Sequence, residues 1–306
     1  MHKQFYNEAI FTLSLRPISP LLIKSGSSEE TLDPTLPDMS FVRMQRAGQA
    51  EPHVYIPGSS LRGVLRAHAE RLLRSIEEAR PHSGAKRLAC DPTSTGMGGT
   101  ACFSGKDTTA VDGDEAYLES CYACKLFGNM ALASRVRVGD LYPDPSIDPL
   151  LERRYGVAID RITGAVAQGP FELEILTDAR FNGRLTARNF TIGQFGLLAA
   201  VLLDLGEGLV PIGYGKSRGL GRVELTFDDL TIRNLRPPEG VIHGVGSLAG
   251  AETRLAYQLP DPEPDRLEVG AAAIEHRGFH TLRADATTAR EWLDRAAMRW
   301  VPEVIG

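Results

Sequence analysis

Apolar and polar residues alternate in several short segments of this 306-residue chain, which is the period of a strand with one buried face. The alternation is clear at residues 11–15 and returns at 134–140, 171–175 and 223–227. Residues 154–169 have the pattern of a hairpin, with Gly164 and Gly169 at bends. The sequence therefore predicts at least five strands in one polypeptide.

Two longer segments have the apolar spacing of helices. Leu61, Leu65 and later apolar residues recur every three or four positions, which predicts a helix after Pro57-Gly58 with Ser59 or Ser60 as its N-cap. Residues 192–206 are apolar nearly all round and predict a buried helix capped by Thr191. Residues 286–300 predict a further helix. The order strand, helix, strands, helix, strand predicts an α+β fold with a ferredoxin-like palm.

The remaining segments suggest how this domain is elaborated. Residues 80–128 contain much Gly, Thr and Asp with little periodicity, and are predicted to be an insertion. After residue 235 the chain becomes acidic and Pro-rich, especially at 259–266. We therefore predict one domain over 1–235, with its insertion at 80–128 and a hairpin within 154–176, and a C-terminal extension over 236–306 whose role the sequence does not indicate.

The overall charge first argues against nucleic acid as a ligand. The chain has 34 Lys and Arg against 39 Asp and Glu, a net charge of −5. Residues 41–90, however, have a local charge of +5, and 28 of the 34 cations are Arg, the better bidentate ligand of phosphate. A general polyanion binder is excluded, whereas RNA binding through a few placed contacts is not. Because apolar runs are short and no signal-peptide block is seen, we expect a cytoplasmic protein without a membrane partner.

Four cysteines lie close together in the predicted insertion. They have the spacing Cys90-x11-Cys102-x18-Cys121-x2-Cys124, in which a C-x2-C pair and two distant thiols can complete a tetrahedral zinc site. His82 could replace one of them. Such a site would stabilise a segment with little core of its own. The alternatives are four reduced thiols or a C-x2-C redox pair.

Three further features are candidates for chemistry. The Gly-rich segment 213–221 could bring its backbone close to a phosphate, with charge from Lys216 and Arg218, or it is simply a tight loop. A carboxylate in the loop before the first helix, Asp33 or Asp38, could recruit a metal ion or orient a 2′-hydroxyl, although such residues are usually only solvated. His68 lies on the buried stripe of its helix and is predicted to be a core histidine.

Together these motifs resemble the RAMP superfamily of CRISPR effector proteins, most closely the backbone subunit of type III RNA-targeting complexes. The resemblance covers about residues 8–230 and rests on five motifs, which are YIPGSSLRG (55–63), CYACKLFG (121–128), SRVRVGD (134–140), AIDRITG (158–164) and GYGKSRGLGRV (213–223).

The resemblance implies a hand-like subunit with an RRM-like palm, copies of which stack along a guide crRNA together with other CRISPR effector subunits. A β-hairpin thumb at 155–170 would wedge into the duplex of guide and target RNA, using Val157 and Ile159 or Ile162. The implied RNA-binding residues are Gly58, Ser59, Ser60, Arg62, Arg66, Arg161, Lys216, Ser217 and Arg218.

In cleaving members of the family, a loop Asp precedes the IPGSS helix and is followed by a short apolar stretch and a basic residue. Asp38 fits this pattern, with Arg43 after it, better than Asp33, so Asp38 is our first candidate and Asp33 the second. The carboxylate would hold Mg²⁺ or orient the target 2′-hydroxyl. The alternatives are a non-catalytic RNA-binding scaffold served by a separate nuclease, and a metal-independent guide-processing endoribonuclease that uses His68 as general base.

Overall fold

The computed structural model describes residues 3–26, 37–45, 48, 51–79, 87–91, 101–103, 106–109, 111–237, 240–271 and 274–305. Two candidates from the sequence, Asp33 and His82, lie outside these residues. Within them the strands are β1 (Asn7–Pro17), β2 (Arg43–Met44), β3 (His53–Val54), β4 (Val136–Val138), β5 (Tyr142–Pro143), β6 (Leu150–Ile159), β7 (Val166–Asp178), β8 (Phe181–Arg188), β9 (Val223–Asn234), β10 (Val241–His243), β11 (Arg266–Glu268), β12 (Ile274–His276) and β13 (Phe279–Asp285).

The described helices lie between and after these strands. They are α1 (Gly58–Ala79), α2 (Gly113–Glu119), α3 (Tyr122–Phe127), α4 (Ile192–Gly206), α5 (Val245–Leu248), α6 (Ala251–Tyr257), α7 (Ala286–Ala297) and α8 (Trp300–Ile305). The chain is therefore a mixed α+β protein. None of the helices in the described ranges is both long and apolar enough to cross a membrane.

An antiparallel sheet of seven strands forms the centre of the molecule. Its order is β12-β13-β9-β1-β8-β4, and β5 pairs with β8 beyond the short β4. Along β1, Phe11, Leu13 and Leu15 are fully buried on one face, as their alternation predicted. The Phe11 ring stacks on Phe195 of α4, with centroids 6.2 Å apart, so this face packs against the helices.

Six elements form the inner part of this architecture. In chain order they are β1, α1, β4, β8, α4 and β9, and the four strands lie in the sheet in the order β9-β1-β8-β4. Helix α1 contacts α4 on the same side of the sheet. Along β1 the buried residues that face the helices alternate with partly or fully exposed ones such as Thr12 and Arg16, so the two helices cover one face and leave the other face open.

Helix α4 begins as predicted, whereas α1 does not. Thr191 caps α4 in a capping box with Gln194, and the helix is buried nearly all round. The prediction that Ser59 or Ser60 caps α1 is wrong, because the helix already begins at Gly58. The amides of Ser60 and Leu61 donate to the carbonyl of Pro57, at 3.0 and 3.2 Å, so the two serines lie in the first turn.

Strands β6 and β7 form a separate two-stranded hairpin that includes the one predicted at 154–169. The hairpin is longer than the sequence pattern indicated and turns at residues 160–165. Its outer part is exposed, and the Ile162 side chain at the turn is 94% exposed. At its base, β7 pairs with the segment around Met39 and with Leu21, which attaches the hairpin to the sheet.

The residues after 235 extend the central sheet rather than trailing from it. Strand β13 pairs with β9, and α7 packs on α4 with Trp292 fully buried. Two buried carboxylates from this extension meet the first turn of α4. Asp265 accepts the Ile192 amide at 2.6 Å and Glu303 accepts the Gly193 amide at 2.7 Å, so the extension completes the helix that the inner domain begins.

Candidate nucleic-acid interface and cysteine cluster

The four cysteine sulfurs meet in one cluster beside the N-terminus of α3. The Sγ atom of Cys90 lies 3.5 Å from that of Cys102, 3.7 Å from Cys121 and 3.6 Å from Cys124, and all four atoms are within 4.8 Å of one another. Zn–S bonds of about 2.3 Å place the sulfurs of a tetrahedral site about 3.8 Å apart. The spacing therefore fits a four-thiolate metal site. No other group of three or more metal-ligating side chains was found in the described part of the chain.

Backbone and side-chain donors surround these sulfurs. The amides of Cys102, Cys121 and Cys124 donate to neighbouring thiol sulfurs at 3.3, 3.1 and 3.4 Å. Hydrogen bonds with the Cys121 and Cys124 thiols lower the pKa of Cys102 to about 7, whereas the hydrogen bond with Cys102 raises the pKa of Cys121. Four thiolates at this spacing would repel one another, and a bound cation would offset that repulsion.

Arg66 connects helix α1 to the cysteine cluster. Its guanidinium donates to the Cys124 sulfur at 3.3 Å, to the Gly128 carbonyl at 2.9 Å and to Glu70 at 2.7 Å. Arg62, one turn earlier, donates to the carbonyl of Phe127. The structure thus directs both of these predicted phosphate ligands toward the end of α3.

The N-terminus of α1 is held by a carboxylate from the segment between β4 and β5. The Gly58 amide donates to Asp140 Oδ1 at 2.8 Å, and a Cβ at this position would overlap the Val138 carbonyl oxygen. A glycine is therefore required here by close packing. Ser59 and Ser60 are exposed in the first turn. Their hydroxyls are therefore the predicted RNA ligands of the YIPGSSLRG motif that face solvent.

The Gly-rich loop places two cations and a serine on the surface. Lys216, Ser217 and Arg218 form an exposed 3-10 turn, supported underneath by Gly221, where a Cβ would overlap the Ile212 carbonyl oxygen. Burial and then Arg71 of α1 lower the pKa of Lys216, which shows that the loop lies near a second cation.

Arg218 also connects this loop to the hairpin. Its guanidinium lies over the Phe171 ring of β7, 5.8 Å from the centroid, and over Tyr214 at 5.9 Å. The structure therefore brings the Gly-rich loop close to Arg71 of α1 and to the base of the hairpin.

Asp38 lies at the base of the hairpin, exposed to solvent. Its Oδ2 accepts the Glu172 amide of β7 at 2.8 Å, and the amide of the next residue, Met39, donates to the Glu172 carbonyl at 3.1 Å. Arg43 fastens the same segment through hydrogen bonds of 2.6 and 2.8 Å to Glu174. Arg43 and the Phe41 amide lower the pKa of Glu174 against the opposing effect of burial, so its charge is retained.

Two other predicted residues lie elsewhere in the structure. Arg161 is exposed in the turn of the hairpin, next to Ile162. His68 is mostly buried between α1 and α4, where its Nε2 lies 2.6 Å from Asp204 Oδ2. The interior position of His68 agrees with the core histidine that the sequence predicted.

These positions follow the motifs of one known family, and the family model of the RAMP superfamily matches residues 14–224. The chain belongs to the RAMP superfamily. Its members are crRNA-binding subunits of CRISPR effector complexes, and this RAMP protein therefore has crRNA and CRISPR complex subunits as its partners. No curated protein sequence shows significant similarity to the chain.

Sequence reasoning missed Asp140 and Glu174, which hold the start of α1 and the base of the hairpin in this RAMP protein. Asp140 ends the SRVRVGD motif, but its partner Gly58 is 82 residues earlier in the chain. Glu174 is one of the polar positions in the alternating segment 171–175. The sequence does contain one indication for Glu174. An acidic residue at the base of a predicted hairpin can form an ion pair with a basic residue of a neighbouring segment, here Arg43.

Proposed function

We propose that this RAMP protein is the guide-RNA-binding backbone subunit of a type III-like complex and that it cleaves guide-paired target RNA through Asp38. The proposal includes a ferredoxin-like palm, supported by the strand order β9-β1-β8-β4 with α1 and α4 on one face. It also includes a structural zinc ion at Cys90, Cys102, Cys121 and Cys124, supported by the sulfur spacing.

The position of Asp38 carries the catalytic part of the proposal. Its carboxylate is exposed and is fixed by the Glu172 amide, at the point where the thumb hairpin leaves the palm. In the proposed complex the exposed apolar residues of the thumb separate neighbouring bases of the target. A nucleotide freed from stacking can bring its 2′-hydroxyl in line with the scissile phosphate, and a carboxylate at that place can accept the hydroxyl proton.

Magnesium at this place would need ligands from the RNA. Mg²⁺ is usually bound by one or two carboxylates together with substrate phosphates, and the acid nearest to Asp38 along β7, Glu172, pairs with Arg153 at 3.5 Å. Asp38 and phosphate oxygens of the RNA would thus hold the ion. When bound, it would stabilise the charge that develops on the phosphoryl group.

A non-catalytic scaffold is the second candidate, and one observation favours it. One oxygen of Asp38 already accepts a backbone hydrogen bond, and among the described residues no second carboxylate joins it in a metal-binding group. In that case the same subunit binds guide RNA and a separate nuclease cuts the target.

The assembled complex carrying Asp38→Ala or Asp38→Asn tests the proposal. Asp38→Asn retains an acceptor for the Glu172 amide but removes the charge, so it separates catalysis from loop position. We expect both variants to bind target RNA normally and to cut it at least about 100-fold more slowly, the lower range for loss of a general base. Asp178→Asn removes a half-exposed acid of β7, the strand that fixes Asp38, and this matched control should cut normally.

Each result distinguishes between the candidates. Cutting by Asp38→Asn at the wild-type rate and positions would exclude Asp38 and leave RNA binding intact. A wild-type complex that binds target and never cuts it would favour the scaffold. A complex that assembles without guide RNA on this subunit would reject the proposal as a whole.

A further inference from the structure

Tyr55 and Tyr142 form an aromatic pair across two short strand segments. Ile56 and Leu141 exchange backbone hydrogen bonds of 3.0 and 2.9 Å, so Tyr55 and Tyr142 lie directly opposite each other one position further along. Their ring centroids are 6.3 Å apart and their planes differ by only 18°. The two rings are therefore nearly parallel and form a stacked pair, which a further flat ring could extend.

This pair lies on the open face of the sheet. Tyr142 pairs with Asn182 of β8, which in turn lies opposite Ser14 of β1. Ser14 alternates with the core residues Leu13 and Leu15, so its side chain points away from the helices. Both tyrosines are half-exposed, whereas their neighbours Ile56 and Leu141 are fully buried. The core does not require aromatic rings at these two positions.

The charge beside the pair suits a base better than a phosphate. Asp140 uses Oδ1 to accept the Gly58 amide at 2.8 Å, and the Tyr142 hydroxyl lies 3.4 Å from its Oδ2. The chain's own carboxylate thus occupies the anion position at the start of α1 and would repel a phosphate there. A carboxylate can accept hydrogen bonds from the amino groups of nucleobases.

The pair is close to the rest of the interface. Tyr55 directly follows β3, which pairs with β2, and Arg43 of β2 is bound to Glu174 at the base of the thumb. Aromatic side chains on a sheet are the usual surface on which proteins stack single-stranded bases. We propose that Tyr55 and Tyr142 form a stacking platform for an unpaired nucleobase of the bound RNA. The inference rests on the proposed RNA-binding function.

The test compares RNA with and without bases. The full chain is titrated, at one fixed low salt concentration, with a short single-stranded RNA and with an abasic ribose-phosphate oligomer of the same length. The double variant Tyr55→Leu/Tyr142→Leu should bind the RNA about tenfold or more weakly and the abasic oligomer unchanged. Tyr55→Phe/Tyr142→Phe keeps the rings and should bind like wild type. Tyr6→Leu, a half-exposed tyrosine at the other end of β1, is the control.

The outcomes separate this inference from the proposed function. If the Leu variant binds RNA as tightly as wild type does, the platform is wrong and crRNA binding stands. If it loses both oligomers equally, or if circular dichroism shows that it is unfolded while the Phe variant also loses RNA, the pair acts through the fold and the inference is overturned. If wild type binds neither oligomer, the proposed function fails and the inference fails with it.

Discussion

Asp265 is buried at the start of two helices, and its charge makes stability depend on pH. Its two oxygens accept the Ile192 and Gly246 amides, each at 2.6 Å. Burial raises its pKa to about 7 despite these hydrogen bonds, and nearby Glu303, whose own pKa is raised by burial, adds to the effect. The folded protein therefore holds a proton here that the unfolded chain releases near pH 4.

We expect Asp265 to reduce the free energy of unfolding as pH rises from about 4 to 7. The native state binds more protons than the unfolded state in this window, so the favourable contribution is fully present below the unfolded pKa and is lost as pH rises through the folded one. Urea unfolding of wild type and Asp265→Asn at several pH values measures it. Between pH 4 and 7, wild type should lose a few kcal/mol of unfolding free energy relative to Asp265→Asn, since each unit of pKa shift corresponds to about 1.4 kcal/mol.

Asp285 provides a control of opposite sign. It caps α7 by accepting the Thr288 amide at 3.0 Å, which lowers its pKa. Its contribution should be present above its unfolded pKa and lost in acid, so Asp285→Asn should differ least from wild type at low pH. A flat difference between wild type and Asp265→Asn from pH 4 to 7 would show that Asp265 is ionised throughout.

At the level of residues, the sequence identified most of the chemistry but not its partners. Thr191 was predicted as a cap because its hydroxyl acts on the adjacent turn, and local contacts of this kind can be derived from spacing. Arg62 and Arg66 were interpreted as phosphate ligands, and the structure shows their guanidiniums on α3. That contact joins segments about 60 residues apart, and residue type alone does not reveal which anion or carbonyl an Arg will meet.

At the level of elements, the connection between α1 and the cysteine cluster makes Arg66 a positioning residue for the proposed zinc site. A four-thiolate zinc centre carries two negative charges, and groups that donate to the sulfurs tune its affinity for the metal. We expect Arg66→Gln to weaken zinc binding by about 10- to 100-fold. Competition with a chromophoric chelator measures the affinity.

Arg71→Gln is the matched control for this prediction. Arg71 is an exposed arginine on the same helix, so its loss should leave zinc affinity unchanged. Removing zinc from wild type should lower the melting temperature, because the metal would join Cys90, Cys102 and the Cys121–Cys124 pair, which are separate segments of the chain. Equal affinities of Arg66→Gln and wild type would mean that the hydrogen bond to Cys124 does not act on the metal.

The elements themselves were predictable where apolar periodicity was strong. The inner strands and helices α1 and α4 follow from the spacing of Phe, Leu and Ile residues that are now seen buried. Strand β13 was not predicted, because its sequence, FHTLRAD, does not alternate regularly between apolar and polar residues. The strand lies toward one side of the sheet and buries only part of each face. Its place next to β9 depends on backbone pairing that no periodicity encodes.

At the level of the whole molecule, we expect the C-terminal extension to be essential for stability and the outer part of the β6–β7 hairpin, the proposed thumb, to contribute little. Helix α7 buries Trp292 against the inner domain and α8 supplies Glu303 to α4, whereas the outer thumb contacts mainly solvent. Removing residues 286–305 should abolish cooperative unfolding. Replacing residues 160–165 with an Asn-Gly turn should leave the melting temperature nearly unchanged, because such turns connect paired strands without strain.

Thermal and urea unfolding followed by circular dichroism test this contrast. A cooperative transition in the truncated chain would show that the inner domain is stable without its extension. A large loss of stability in the shortened thumb would show that its turn contributes to the core. For a functional comparison, the shortened thumb should still bind guide RNA in the assembled complex, because the Gly-rich loop and α1 are unchanged.

The contact between Glu303 and the start of α4 also has a consequence for synthesis. The Gly193 amide is synthesised before its hydrogen-bond acceptor, the Glu303 carboxylate, which is 110 residues later in the chain. Ribosomes add about 5–20 residues per second, so this helix emerges roughly 6 to 20 s before its partner is made. During that interval an apolar helix has no cover from α7 or α8. We expect the nascent chain to recruit a chaperone at this stage, and slower translation of residues 207–303 to lengthen its exposure.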